Sequence, residues 1–220
     1  MSLQLHIMNK FFFAPLLVLA LALPALAHNF TQKGYGQLQA ETKNFTHASS
    51  AKARINAPMP RFAAPTLDGK GLTNASFKGK MGLFILADTQ CPCVQAVEER
   101  IKNLSKQYGP NRLRVAYVFS TPGQKPLEIA RFMQNHLIGY PAIVDRDQRL
   151  LKMLDGRASS EVYLFDPKGV LRYHGRVDNE TFDPKNATQH DLANAIAAVA
   201  QNKKVARAEV PAMGCAIPRI

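Results

Sequence analysis

Hydrophobic and polar positions along the chain form segments that predict strands and helices in turn. The apolar run 82–87 lies between polar residues and has the length of a buried strand. The segment that follows has apolar residues at helical spacing, and this predicted helix ends at Gly109. Its apolar positions are Val94, Val97, Ile101 and Leu104. We place Glu98 and Arg100 on its solvent-facing side.

Further strands and helices follow in alternation. Strands are predicted over 113–120, 140–145, 161–165 and 170–175. Helices are predicted over 128–136, 150–154 and 188–201, the last with a capping-box-like start at Thr188. Strands that alternate with helices and end in an antiparallel hairpin indicate an α/β protein. We expect a mixed central β-sheet with helices on both faces.

Residues 1–27 have the pattern of a secretory signal peptide. Lys10 precedes an apolar run over 11–23, and Ala25-Leu26-Ala27 fits a small-x-small cleavage site. We therefore expect cleavage after Ala27 and a secreted or periplasmic protein. The apolar run is short for a membrane span, although retention as an uncleaved anchor is the alternative.

The rest of the chain divides into three parts. Residues 28–56 are polar and predict a flexible N-terminal arm. Residues 57–202 carry the periodic segments and form the predicted folded domain. Residues 203–220 form a basic, proline-containing tail that holds Cys215, and we expect it to be flexible.

The chain is basic, with a formal net charge of +12. Its Lys and Arg residues are scattered, and they are not interleaved with aromatic residues as in single-strand binding surfaces. The charge therefore indicates a solvated basic surface. We expect no nucleic-acid partner, and no stable membrane span after signal cleavage.

Two of the three cysteines flank a proline where the first long helix begins. Pro92 fits the first helical position, which makes Cys91 the N-cap and Cys93 a first-turn residue. Unpaired N–H groups and the helix dipole stabilise a thiolate there. A buried, inert cysteine is the alternative. Cys215 makes the count odd, which indicates reactive sulfur in preference to a structural disulfide framework.

The chain resembles the thioredoxin-fold redoxin group, which includes peroxiredoxins and exported thiol–disulfide oxidoreductases. The matching segments are 57–80, the strand leading to Cys91, 141–145, 162–169, 173–178 and 214–217. The resemblance implies a thioredoxin-like fold. Counted back from Cys91, Asp88 and Phe84 occupy the positions of the Thr or Ser and of the Pro that peroxiredoxins carry; counted back from Cys93, Gln90 and Leu86 occupy them. Gln90 also stands where thioredoxins carry Trp. The usual cis-proline of the fold would fall near Ser159-Ser160, and no proline is there.

We interpret the chain as a thiol–disulfide oxidoreductase acting on thiol or disulfide proteins. Cys91 would attack, and Cys93 or Cys215 would resolve the mixed disulfide. One alternative is peroxide reduction through a sulfenic acid at Cys91. Another is a Cu(I)-binding metallochaperone that uses Cys91 and Cys93 with Met213, Cys215 or a histidine. A binding module without catalysis is a fourth hypothesis.

The favoured interpretation assigns no cofactor and no metal ion, and it leaves the oligomeric state open. Arg176 and Asp178 follow the last predicted strand, and we interpret them as a structural pair. His174 is interpreted as a hydrogen-bonded histidine of the sheet.

Overall fold

The computed structural model of the protein describes residues 51–220. The predicted signal peptide and residues 28–50 of the predicted arm lie outside the described residues. The strands are β1 (Ala63–Pro65), β2 (Gly71–Thr73), β3 (Met81–Ala87), β4 (Leu113–Phe119), β5 (Ala142–Val144), β6 (Val162–Phe165) and β7 (Leu171–Gly175). The α-helices are α1 (Pro92–Tyr108), α2 (Pro126–Asn135), α3 (Arg149–Leu154) and α4 (Asp191–Ala200).

The centre of the fold is a five-stranded mixed sheet with the order β5-β4-β3-β6-β7. β3 and β4 run parallel, as do β4 and β5. β6 runs antiparallel to both β3 and β7. β1 and β2 form a separate antiparallel pair whose turn has Gly69 at a φ of 78°. The predicted α/β class and mixed central sheet are confirmed.

The core lies on both faces of this sheet, because successive side chains of a strand point to opposite faces. Leu83 and Ile85 of β3 belong to one cluster, which includes the apolar faces of α1, α2 and α4. Phe84 and Leu86 belong to the other, which includes α3 and residues of β1 and β2. Every residue of β3 is buried, as expected for a central strand covered on both sides. Helices on both faces are thus confirmed.

The exposed face predicted for α1 is wrong at two positions. Glu98 is 4% exposed, and it accepts a hydrogen bond from the Tyr117 hydroxyl of β4. The guanidinium of Arg100 lies 2.6 Å from the Asp178 carboxylate, and its side chain is 15% exposed. Both side chains are polar, so the hydrophobic pattern assigned them to solvent. Partners distant in sequence bury them instead.

Two further predictions near the C-terminus need correction. Asp178 does not pair with Arg176, whose guanidinium lies 2.7 Å from Asp191. The last helix begins at Asp191, three residues after the predicted start. Thr188 is held outside the helix, since its hydroxyl accepts a hydrogen bond from the side-chain amide of Asn179 at 2.9 Å. Within residues 51–220, no helix combines the length and hydrophobicity needed to cross a membrane.

Candidate functional site

Cys91 lies where the central strand β3 is followed by helix α1. It is the N-cap residue, with φ −83° and ψ 114°, and Pro92 takes the first helical position. Proline fits there because the first N–H groups of a helix have no partner within it. The Cys91 side chain is 2% exposed. The N-cap position is the one that the sequence predicts.

The turn before Cys91 is held by Asp88. The Asp88 carboxylate accepts hydrogen bonds from the Gln90 N–H and the Thr121 hydroxyl, each at 2.8 Å. It also accepts one from the side-chain amide of Gln124 at 3.1 Å. The Cys91 N–H donates to the Asp88 carbonyl oxygen at 3.2 Å. Asp88 thus joins the cysteine turn to the loop after β4.

The C-terminal tail carries Cys215 to this turn. The Ser159 N–H donates to the Cys215 carbonyl oxygen at 2.8 Å, and the Ile217 N–H donates to the Arg157 carbonyl oxygen at 2.9 Å. These bonds pair the tail antiparallel to the loop before β6. The Ile217 side chain is 5% exposed and packs in the core. The tail, which the sequence predicts to be flexible, is therefore docked by backbone pairing.

The tail is also attached upstream, along β7. The His174 N–H donates to the Ala208 carbonyl oxygen at 2.9 Å, and His174 Nε2 lies 2.7 Å from Glu209 Oε1. The neighbouring carboxylates of Glu161 and Glu209 raise the pKa of His174, although burial opposes the rise. His174 is a hydrogen-bonded histidine of the sheet, as the sequence predicts, and its partner Glu209 on the tail is one that the sequence does not indicate.

The three cysteine sulfurs converge on one point. Their Sγ atoms all lie within 4.8 Å of one another. The Sγ atoms of Cys91 and Cys215 are 2.9 Å apart, and all three thiols are free. Cys91 is buried, Cys93 is partly exposed and Cys215 is exposed. The cluster therefore opens to solvent on the side of the tail.

The environment separates the acidities of the three thiols. Burial opposes ionisation of Cys91, but the hydrogen bond from Cys215 and nearby backbone N–H groups lower its pKa overall. The pKa of Cys93 is raised by burial and by the negative charge of Cys91. The pKa of Cys215 is raised to about 12, first of all by its hydrogen bond to Cys91. Cys91 is thus the thiol that ionises first.

The loop around Ser159 and Ser160 is the part of the site that sequence reasoning did not assign. It occupies the expected place of the cis-proline, and residues 51–220 contain no cis peptide bond. The Ser160 hydroxyl donates to the Met213 carbonyl oxygen at 2.5 Å. A Cβ atom at Gly214 would lie 1.7 Å from the Ser159 carbonyl oxygen. Gly214 beside Cys215 is the one sequence signal of this close approach.

The fold and its neighbours define the class of the protein. An uncharacterized conserved protein from Geobacillus kaustophilus is similar with a TM-score of 0.67 and 20% identity, covering 74% of this chain and 91% of its own. A hypothetical protein from Sinorhizobium meliloti is similar with a TM-score of 0.69 and 24% identity, covering 79% of this chain and 99% of its own. A thioredoxin candidate from Neisseria meningitidis is similar with a TM-score of 0.55 and 18% identity, covering 71% of this chain and 93% of its own. The protein has a thioredoxin-like fold.

The family follows from the sequence itself. The Redoxin family model matches residues 54–196, so the chain belongs to the Redoxin family. The match confirms the resemblance stated above. It includes Cys91 and Cys93, whereas Cys215 lies beyond it. A search of curated proteins found no match.

Proposed function

We propose that this redoxin is a thiol–disulfide oxidoreductase in which Cys91 attacks the substrate and Cys215 resolves the mixed disulfide. The observation that carries the proposal is the 2.9 Å separation of the Cys91 and Cys215 sulfur atoms at the start of α1. A protein disulfide isomerase candidate from Bacteroides thetaiotaomicron, with a TM-score of 0.50 and 17% identity, shares the fold. The substrates would be proteins with accessible thiols or disulfides.

The exchange balances without a bound cofactor. The Cys91 thiolate attacks one sulfur of a substrate disulfide, which forms a mixed disulfide and releases the other substrate sulfur as a thiolate. Cys215 then loses its proton and attacks Cys91 Sγ. The Cys91–Cys215 disulfide forms, and the second substrate thiolate leaves. Two electrons have passed to the substrate, and an external thiol reductant restores the protein.

The acidities support this order of attack. Cys91 has the lowered pKa, so it is the thiol that ionises most readily in the reduced protein. The pKa of Cys215 is raised chiefly by its hydrogen bond to Cys91. When Cys91 is in a mixed disulfide its charge is gone, and that cause of the rise disappears. Cys215 then ionises more easily at the step where it has to attack. Cys93 is the alternative resolving thiol, since it lies in the same cluster.

Peroxide reduction has less support from the geometry. Asp88, which stands where peroxiredoxins carry Thr or Ser, accepts three hydrogen bonds from the surrounding loop. A carboxylate in that position presents negative charge, whereas a Thr or Ser presents a hydroxyl donor.

Oxidation of the reduced protein with one equivalent of diamide tests the pairing. Peptide mapping of the alkylated product is expected to show a Cys91–Cys215 disulfide in the wild type and in Cys93→Ser, and to lose it in Cys215→Ser. Turnover is measured as dithiothreitol-dependent reduction of insulin, where Cys91→Ser is expected to lose activity more than 100-fold. Free Cys91 after oxidation, or full insulin reduction by Cys91→Ser, would overturn the proposal.

The location proposed with this function is outside the cytoplasm, where disulfides persist. Its support is the signal-like pattern of residues 1–27. A protein secreted through this segment would begin at His28, and intact-mass measurement of the exported protein tests that start. A chain that keeps residues 1–27 and remains with the cytoplasmic fraction would contradict it.

A further inference from the structure

We propose that the reduced protein binds one Cu(I) ion between the sulfur atoms of Cys91, Cys93 and Cys215. The proposal goes beyond disulfide exchange and does not depend on it. Its starting point is the convergence of three thiol sulfurs, all within 4.8 Å of one another. This is a cluster from two separate parts of the chain, the start of α1 and the C-terminal tail.

The dimensions of the cluster suit a single ion. With metal–sulfur bonds of about 2.3 Å, three sulfurs placed symmetrically around an ion are about 4 Å apart. The Cys91 and Cys215 sulfurs, at 2.9 Å, would separate by about 1 Å to reach that geometry. Rotation about the side-chain bond of the exposed Cys215 supplies a movement of this size. No shift of the helix is required.

The donor atoms select the type of ion. Thiolates are soft ligands and favour Cu(I) over oxygen-seeking cations such as Mg²⁺ or Ca²⁺. Structural Zn²⁺ takes four ligands. Among the residues that the structure describes, the cluster contains three cysteines and no histidine or carboxylate. Three sulfurs in a plane are sufficient for Cu(I), so Cu(I) fits this donor set better than Zn²⁺.

The scaffold holds the ligands without help from the metal. Cys91 and Cys93 are fixed by the first turn of α1. Cys215 is fixed by the backbone bond from Ser159, and the next residue but one, Ile217, is bonded to Arg157. The N-terminus of α1 favours the net negative charge of three thiolates around one monovalent cation. A site assembled before binding loses less entropy when the ion arrives.

Binding involves no change of oxidation state. Each thiol that is protonated releases its proton as the sulfur binds, and the ion remains Cu(I). A Cys91–Cys215 disulfide would remove two of the three ligands. The ion and the disulfide are therefore alternative states of one cluster, and the ion would slow oxidation of the thiols.

The test is an anaerobic titration of the reduced protein with Cu(I) in the presence of bicinchoninate, a chromophoric competitor. We expect one equivalent of Cu(I) to be withdrawn per chain. Cys93→Ser and Cys215→Ser are each expected to weaken retention at least 10-fold, and the triple Cys→Ser variant to abolish it. Zn²⁺ at equal concentration is expected not to displace the ion. Met153→Leu, which removes a buried sulfur from the opposite face of the sheet, is the control and should retain Cu(I).

Two results would overturn the inference. One is failure of the wild type to withdraw Cu(I) from the competitor. The other is binding that the cysteine variants retain in full, which would place the ion elsewhere on the chain. The insulin assay is run on the same preparations. Exchange activity without Cu(I) retention rejects only the metal site, and Cu(I) retention without exchange activity rejects only the oxidoreductase.

Discussion

The backbone of Gly214 passes so close to Ser159 that a Cβ atom at Gly214 would lie 1.7 Å from the Ser159 carbonyl oxygen. A contact that short with backbone cannot be relieved by rotating a side chain. The approach is what allows the neighbouring Cys215 to bond with Ser159 and reach Cys91. The position of the third thiol therefore depends on a residue without a side chain.

Substitution of Gly214 by Ala is expected to displace the tail at Cys215. Cys91, 2% exposed in the docked structure, should then become accessible to iodoacetamide, and at a pH above the Cys91 pKa of both proteins its alkylation should be at least 10-fold faster. The yield of the Cys91–Cys215 disulfide should fall in parallel. Both are measured by peptide mapping after timed alkylation. Gly139→Ala is the matched control, because a Cβ atom there has nothing within 4 Å. Equal rates in Gly214→Ala and wild type would show that the tail tolerates the added methyl.

The acidity of Cys91 should depend on Cys215. The hydrogen bond from Cys215 lowers the pKa of Cys91 against the effect of burial, so Cys215→Ala is expected to raise the Cys91 pKa. Cys215→Ser retains an O–H donor and should preserve more of the lowering. The measurement is the pH dependence of Cys91 alkylation, resolved by peptide mass. An unchanged or lower midpoint in Cys215→Ala would contradict the assigned cause.

A third prediction concerns the stability of the loop after β7. Arg100 Nη1 lies 2.7 and 2.6 Å from the two Asp178 oxygens and 2.5 Å from the Glu180 carbonyl oxygen. Its loss leaves a carboxylate with 4% exposure unpaired, so Arg100→Met is expected to lower the free energy of unfolding by about 3 kcal/mol. Urea denaturation gives this value.

The control for that experiment is Lys70→Met. Lys70 pairs with Asp68 at 3.5 Å, but the two side chains are 85% and 44% exposed. An exposed pair contributes about 0–1 kcal/mol, so little change is expected. Asp178→Asn should resemble Arg100→Met, and the double variant should be less destabilised than the sum. Additive effects would mean that the two side chains do not act as a pair.

Local patterns are sufficient to predict the centre of this fold. The buried strand before Cys91, Pro92 at the first helical position and the stop at Gly109 each follow from neighbouring residues, and the structure places β3 and α1 accordingly. The α/β class with a mixed central sheet follows from the order of such elements, and the thioredoxin-like fold follows from the resemblance to the redoxin group. These predictions needed no knowledge of contacts between distant parts of the chain.

The assembly of the site depends on such distant contacts. Cys215 is 124 residues from Cys91, and backbone bonds place it there without any periodic pattern in the tail. The burial of Glu98 likewise requires the Tyr117 hydroxyl of another element. Burial of a polar side chain is favourable only when its partner is present, and the sequence does not show which residue that partner is.

The last prediction concerns pH and the attachment of the tail. The carboxylates of Glu161 and Glu209 raise the pKa of His174 in the folded protein. The stability contributed by protonated His174 is therefore fully present below its ordinary pKa of 6.5, and is lost as the pH rises through the higher folded value. Glu161, whose pKa is lowered although burial opposes this, stays ionised across that window.

We expect the difference in unfolding free energy between wild type and His174→Gln to shrink from pH 6 to pH 9, as measured by urea denaturation at each pH. Because His174 contacts the tail through Glu209, Glu209→Gln should flatten part of the same dependence. A difference between wild type and His174→Gln that is constant over this range would show that the charge on His174 does not contribute to the attachment.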